Sequence, residues 1–180
     1  MEENLSISDL ILDVPSSSGM SLGELLALSS FIWNVTPRPS RILEIGTKYG
    51  RTTINLAKFS PAYCNITSLD LVPLDYSVAK KYFCSAKINF IEGDSTKFDF
   101  SSLGKFDIVL VDANHEYDFV KNDTLKALSV LNTGGYILWH DYGKNERQYP
   151  AIRVKRALDD MKIVPQFVLA ESLVGMKLCH

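Results

Sequence analysis

The sequence predicts a doubly wound α/β fold: a mainly parallel sheet of seven strands, its last strand antiparallel, with helices on both faces. Three observations carry this. From residue 41 onward, short apolar runs alternate with longer amphipathic ones, the pattern of strands joined by helical crossovers. The run Ile108-Val-Leu-Val111 is apolar without a break, as a central parallel strand buried on both faces must be. The last two apolar segments are separated only by a short turn, so they pair antiparallel, because a parallel crossover needs a dozen or more residues.

Each element follows in order. A helix at about Ser21–Val35 is stopped by Pro37 and Pro39. Before it, Pro15-Ser-Ser-Ser-Gly19 reads as the join to a loose N-terminal segment. Arg41-Ile-Leu-Glu-Ile45 is the first strand, ended by Gly46, and Thr52–Phe59 follows as a helix carrying Ile54, Leu56 and Ala57. Asn65–Asp70 is the second strand, and Leu74–Cys84 a helix with Val78, Ala79 and Tyr82 on its apolar face. Ile88–Glu92 and Phe106–Asp112 are the third and fourth strands. The longest helix, about Tyr117–Leu131, has an apolar stripe of Val120, Leu125, Leu128 and Leu131, and Asn132-Thr-Gly-Gly135 stops it as a glycine C-cap. Tyr136–Trp139 is the fifth strand, residues 150 to 161 a helix opened by Pro150, and 164–169 and 173–178 the closing hairpin.

At 180 residues and 46% hydrophobic, the chain is read as one domain, with 1–40 an N-terminal segment and lid-like helix and 41–178 the core. A net charge of −2 gives no electrostatic reason to expect nucleic acid or an anionic membrane as partner. The acidic start lacks the basic region of a secretory signal, and no apolar run approaches the roughly 20 residues that span a bilayer. Cys64, Cys84 and Cys179 are sparse and unpaired by motif, as in a cytoplasmic protein with reduced thiols.

Ligands of open parallel sheets sit outside the carboxyl ends of the strands. Those exits are acidic here: Glu44 before Gly46, then Asp70, then Gly93-Asp94-Ser95, Asp112, and His140-Asp141. A dinucleotide or a nucleoside triphosphate would want amides and cations there. The carboxylates suit a ligand with positive charge and sugar hydroxyls, which describes S-adenosylmethionine. The loop Glu44-Ile-Gly-Thr-Lys-Tyr-Gly50 has the spacing Gly-x-x-x-Gly, so it is neither a dinucleotide fingerprint nor a P-loop.

In Ile42–Gly50, Ser68-Leu-Asp70, Ile91–Ser95, Ile108–Tyr117 and Gly134–Tyr142 the chain resembles class I S-adenosylmethionine-dependent methyltransferases, over about residues 21–178. It is most similar to the branch of bacterial small-molecule and sugar O-methyltransferases and cephalosporin-hydroxylase-like proteins. The resemblance implies a Rossmann-like methyltransferase fold and O-methylation of a small-molecule acceptor. It further implies that Glu44, Gly46, Thr47 and Gly50 line the methionine end of the cofactor and that Asp70, with Leu71 beside it, holds the ribose hydroxyls. Gly93, Asp94 and Ser95 would meet the adenine, and Asp112 would sit beside the sulfonium. Lys48-Tyr49, Ala113 and Asn114 depart from the commoner pattern.

The same resemblance implies a metal set of Asp112, His140 and Asp141 for Mg²⁺ or another divalent metal, which would orient an acceptor oxygen and lower its pKa. Carboxylates suit a hard ion, and the histidine shifts preference toward transition metals. His115, three residues after Asp112, offers a general base instead. Competing functions are another reaction on the same scaffold, such as oxidative chemistry or aminopropyl transfer, and a non-catalytic cofactor-binding protein. With so few residues outside the core, the acceptor pocket is open or is completed by a second copy in a homodimer.

Overall fold

The computed structural model describes residues 5–14, 19–71, 81–82, 84, 86–144 and 153–179. Among them runs a seven-stranded sheet of β1 (Arg41–Ile45), β2 (Asn65–Asp70), β3 (Lys87–Glu92), β4 (Phe106–Val111), β5 (Leu131–Trp139), β6 (Phe167–Ala170) and β7 (Leu173–Lys177). Their order is β3-β2-β1-β4-β5-β7-β6. The pairs among β1 to β5 are parallel, and β7 inserts antiparallel between β5 and β6. The doubly wound sheet with its antiparallel closing strand is the predicted one.

Alternation along the strands sorts the core into two layers. Ile42, Ile66, Ile108, Leu110 and Leu138 pack with helices α1 (Leu22–Asn34) and α2 (Arg51–Phe59). Leu43, Ile45, Val109, Val111, Ile137 and Trp139 pack with α3 (Tyr117–Val130) and α4 (Val154–Asp160) on the other face. Burial of these side chains, worth roughly 1.5–3 kcal/mol each, fixes which face each strand turns to each helix layer. Helix α1 starts on a capping box in which Ser21 Oγ accepts from Glu24 N and a Glu24 carboxylate oxygen accepts from Ser21 N.

Several expectations need correction. The N-terminal segment is not loose over its described part: Leu10, Val14 and Met20 are buried, and Asn55 clamps Ile11 through both its backbone N–H and its carbonyl at 2.9 Å. Gly134-Gly135 is no helix cap. Helix α3 ends at Val130 and β5 begins at once, with Gly134 at φ 79° where the β4–β5 register shifts. Leu125 is 59% exposed, and the buried face of α3 instead carries Val120, Asp123, Thr124, Ala127 and Val130. Thr124 earns its place by accepting the Trp139 indole N–H at 3.0 Å. The predicted strand at 164–169 shifts to Phe167–Ala170, with Val164 exposed. The predicted helix at 74–84 falls mostly outside the described residues, as do positions 150–152 of the last helix.

Candidate functional site

The ladder register sets the site. Ile45 pairs with Leu69 and Val111, Leu69 with Ile91, and Val111 with Trp139. One residue further along, Gly46, Asp70, Glu92, Asp112 and His140 form a row across the carboxyl ends of five parallel strands. Gly46 has φ 103°, and a β-carbon on it would lie 2.2 Å from the Asp112 carbonyl oxygen. Glycine is therefore required there by the neighbouring strand exit itself.

Beyond Gly46, Lys48 is left-handed at φ 50°, and the successive N–H groups of Thr47 and Lys48 donate to Asp70 Oδ2 at 2.8 and 2.7 Å. A concave pair of amides is an anion site. Its anion here is the protein's own carboxylate, so this rim suits a cationic, hydroxyl-bearing ligand better than a phosphate. Gly50, at φ 82°, is the N-cap of α2.

Under this loop Glu44 is fully buried. Its Oε2 accepts from Thr53 Oγ1 and Ser68 Oγ, both at 2.5 Å, while Oε1 has no hydrogen-bond partner. Ser68 gives its one hydroxyl proton to Glu44, so Thr47 Oγ1, 2.6 Å away, donates to Ser68 and ties the loop to the buried acid. Burial pushes the Glu44 carboxyl up to about 8, against the two hydroxyl bonds and with help from the charges of Asp112 and Asp70.

After β3, Asp94 is engaged locally. It accepts from Thr96 N and Oγ1 at 2.9 and 2.6 Å and pairs with Lys97 at 3.0 Å, bonds that hold its carboxyl down at about 2. The Ser95 carbonyl accepts from Lys126 Nζ at 2.5 Å. A β-carbon on Gly93 would sit 2.9 Å from the Phe98 ring, and Leu71 is 62% exposed beside Asp70.

Four side chains converge at the exits of β4 and β5. Asp112 Oδ1 lies 2.8 Å from His140 Nδ1 and 3.3 Å from His115 Nε2. Asp141 Oδ2 is 3.5 Å from His115 Nε2, and Asp141 Oδ1 is 3.3 Å from His140 Nδ1 and pairs with Lys144. Asp141 itself is left-handed at φ 60°, a backbone conformation that costs about 1 kcal/mol in a non-glycine residue and aims its carboxylate back at the histidines. His140 Nε2 in turn meets Glu24 Oε2 at 3.0 Å. Burial opposes a charge on His140, but Asp112, Glu24 and Asp141 together push its pKa up to about 10. Burial opposes charge on Asp112 and Glu24 as well. His140 and His115 nevertheless hold Asp112 below the usual carboxylate range, and His140, Ser172 and Ser21 hold Glu24 well below it. The Nε2 atom of His115 is turned into this cluster.

The donor set fits both groups that the sequence implies. Acidic strand exits beside a loop whose amides already serve Asp70 match a sulfonium, an ammonium and a ribose diol. Carboxylate and imidazole atoms of Asp112, His115 and His140, all within 4.8 Å of one another, match a divalent ion.

Residues 43–142 match a family of methyltransferase domains. The chain belongs to that family. Among curated proteins none matches its sequence. Solved structures share its fold at low identity. A Podospora anserina methyltransferase solved with S-adenosylhomocysteine is 20% identical with a TM-score of 0.66, over 85% of this chain and 78% of that one. The O-methyltransferase NovP is 12% identical, TM-score 0.65, over 89% and 81%. CalS11, a TDP-rhamnose 3′-O-methyltransferase of calicheamicin biosynthesis, is 17% identical, TM-score 0.59, over 85% and 77%. This chain is thus an S-adenosylmethionine-dependent methyltransferase.

In this methyltransferase Gly46, Asp70, Asp112 and His140 lie in one row, Glu44 is buried beneath the loop, Asp94 turns to Thr96 and Lys97, and His115 joins Asp112, His140 and Asp141. Sequence reasoning missed Glu24, whose Oε1 accepts from both Ser172 N and Ser172 Oγ at 3.1 and 2.6 Å. It also missed Lys144. The Ser-x-x-Glu spacing from Ser21 was a visible signal, but it reads only as a helix cap. Phe31 and Trp33 lie at the far end of α1, Phe31 against Tyr136 and Phe167 and Trp33 under the Arg38 guanidinium, so they serve packing. Burial pushes the Cys64 thiol up to about 11, which leaves it a core residue. Tyr149 and Arg147 lie outside the described residues.

Proposed function

We propose that this methyltransferase methylates an oxygen of a small-molecule acceptor seated over the exits of β4 and β5, with the cofactor lying along the exits of β1, β2 and β3. The observation that carries the reading is the cluster of Asp112, His115, His140 and Asp141 one strand away from the Gly46–Gly50 loop. S-adenosylmethionine supplies an electrophilic methyl group on a positive sulfonium. Asp112 faces that charge, and Asp70 takes the ribose hydroxyls. Gly46, Thr47 and Gly50 bound the methionine end, with Glu44 beneath them, while Leu71, Gly93, Asp94 and Ser95 border the adenine. Methyl transfer is an in-line displacement, so the work left to the chain is alignment of the acceptor oxygen and removal of its proton. Asp112, His140 and Asp141 would hold a divalent ion, which lowers the pKa of a bound hydroxyl.

The residues 1–180 act as one unit in this reading. No helix among the described residues is long and apolar enough to cross a membrane, and with the three free cysteines this supports a cytoplasmic enzyme. The net charge of −2 argues against nucleic acid as acceptor. A homodimer would bring a second copy over the acceptor side of the β4 and β5 exits; light scattering that gives a 20.2 kDa particle would refute it.

Calorimetric titration with S-adenosylhomocysteine tests the cofactor site. Micromolar binding that weakens at least tenfold in Asp70→Ala supports it, and no binding to folded protein overturns it. Incubation with S-adenosylmethionine and a panel of hydroxylated small molecules, read by mass spectrometry, tests the acceptor class.

A further inference from the structure

His140 is buried at 2% side-chain exposure, yet both its ring nitrogens are engaged: Nε2 by Glu24 from the N-terminal helix, Nδ1 by Asp112. A carboxylate on the far nitrogen is the arrangement that fixes the tautomer and ring angle of a metal-ligating histidine. The near side holds the right atoms. Bonds of about 2.1 Å place neighbouring ligand atoms about 3.0 Å apart around an octahedral ion and about 3.4 Å apart around a tetrahedral one. The separations here are 2.8 Å for Asp112–His140, 3.3 Å for Asp112–His115 and 3.5 Å for His115–Asp141. Asp141 Oδ1 is buried, pairs with Lys144 and lies 3.3 Å from His140 Nδ1, so Asp141 Oδ2 is the oxygen it turns to His115. His115, at 24% exposure, is the most open side chain of the four and leaves the solvent side accessible to an acceptor.

We propose that Asp112, His115 and His140, with Asp141 beside them and Glu24 orienting His140, form a site for a first-row transition-metal dication in preference to Mg²⁺. Two imidazoles and a carboxylate facing an open side are a donor set for ions of the Mn²⁺-to-Zn²⁺ series, whereas Mg²⁺ keeps to oxygen and water. On binding, the ion replaces the proton that His140 Nδ1 shares with Asp112, and that proton leaves to solvent. His115 is a ligand in this arrangement. Glu24 is a positioning residue, acting on the ion only through His140. The inference rests on the reading of this cluster as the acceptor-activating part of the methyltransferase site.

The test is Co²⁺ titration of the full chain after chelator treatment, followed by visible absorption and calorimetry without cofactor or acceptor. The expected result is one equivalent of Co²⁺ with imidazole-type visible bands, not displaced by Mg²⁺ in roughly 100-fold excess. Glu24→Gln should weaken Co²⁺ binding about 10- to 100-fold, and His115→Ala at least tenfold with loss of band intensity. Absence of a stoichiometric Co²⁺ site, displacement by equimolar Mg²⁺, or an unchanged His115→Ala titration overturns the proposal and leaves the cluster a proton-sharing ion network. If Glu24→Gln does not fold, the partly exposed His115 position decides alone. S-adenosylhomocysteine binding, measured on the same samples, separates this failure from failure of the methyltransferase site.

Discussion

Glu44→Gln is the most informative perturbation of stability. The Glu44 carboxyl has an ordinary value of 4.5 and is raised to about 8 by burial in the folded chain. The folded state therefore binds one more proton than the unfolded chain between these values. A group with a raised folded pKa gives stability that is full below the unfolded value and lost as pH climbs through the folded one. Between pH 5 and pH 8 that loss is about 3 kcal/mol, with a slope near 1.4 kcal/mol per pH unit at its steepest. Glutamine is the neutral stand-in for the protonated acid. Thr53 and Ser68 both donate to Oε2, so the acid proton sits on Oε1, where glutamine carries its amide nitrogen; Oε1 has no hydrogen-bond partner, so the extra N–H adds a cost of about 1–3 kcal/mol that does not vary with pH. His140, raised to about 10, also loses stability as pH rises, so the diagnostic quantity is the difference between the two proteins. Urea unfolding of the cofactor-free proteins should show the stability difference between variant and wild type moving by about 3 kcal/mol in the variant's favour from pH 5 to pH 8. For a chain of this size that movement is about 6–12 °C in Tm. Parallel pH dependences would refute the assignment of a protonated Glu44.

Two further outcomes follow from the packing. Gly46→Ala places a β-carbon 2.2 Å from the Asp112 carbonyl at a positive φ, whereas Gly134→Ala, also at positive φ, meets nothing within 4 Å. Thermal melts should show Gly134→Ala costing about 1 kcal/mol and Gly46→Ala about 3 kcal/mol or more, and equal losses would remove the steric argument. Asn55→Ala frees both backbone groups of Ile11. It should cost about 1–2 kcal/mol and speed limited proteolysis ahead of α1, and an unchanged cleavage pattern would show that the segment is held by Leu10 and Val14 alone.

Much of the fold was legible because its signals are local. Ile108–Val111 could only be a central strand, and the short gap before Leu173 forced an antiparallel partner. The errors arose where a local rule met a tertiary demand. Gly134-Gly135 looked like a helix stop, but positive φ serves equally at a strand irregularity, and β5 starts straight from α3. Leu125 fits a helical stripe by spacing. Thr124, a weaker candidate by hydropathy, took the inner face because the buried Trp139 indole needs an acceptor.

For the site, the row of strand exits was legible, since each exit follows from its strand and parallel register aligns them. What surrounds His140 was not. Glu24 is 116 residues away in sequence, and its capping box with Ser21 already explains it locally. Its approach depends on α1 packing beside α2 and β6, and its other oxygen is held by Ser172 in the turn between β6 and β7. Both residues fall outside the 43–142 stretch that matches the methyltransferase family. A buried histidine between three carboxylates must have every partner in place, because an unpaired charge there costs several kcal/mol. The N-terminal helix and the closing hairpin, which read as covering elements, are therefore part of what sets the protonation and orientation of His140, and substitutions at Glu24 or Ser172 should act on the chemistry of the site without touching any bound molecule.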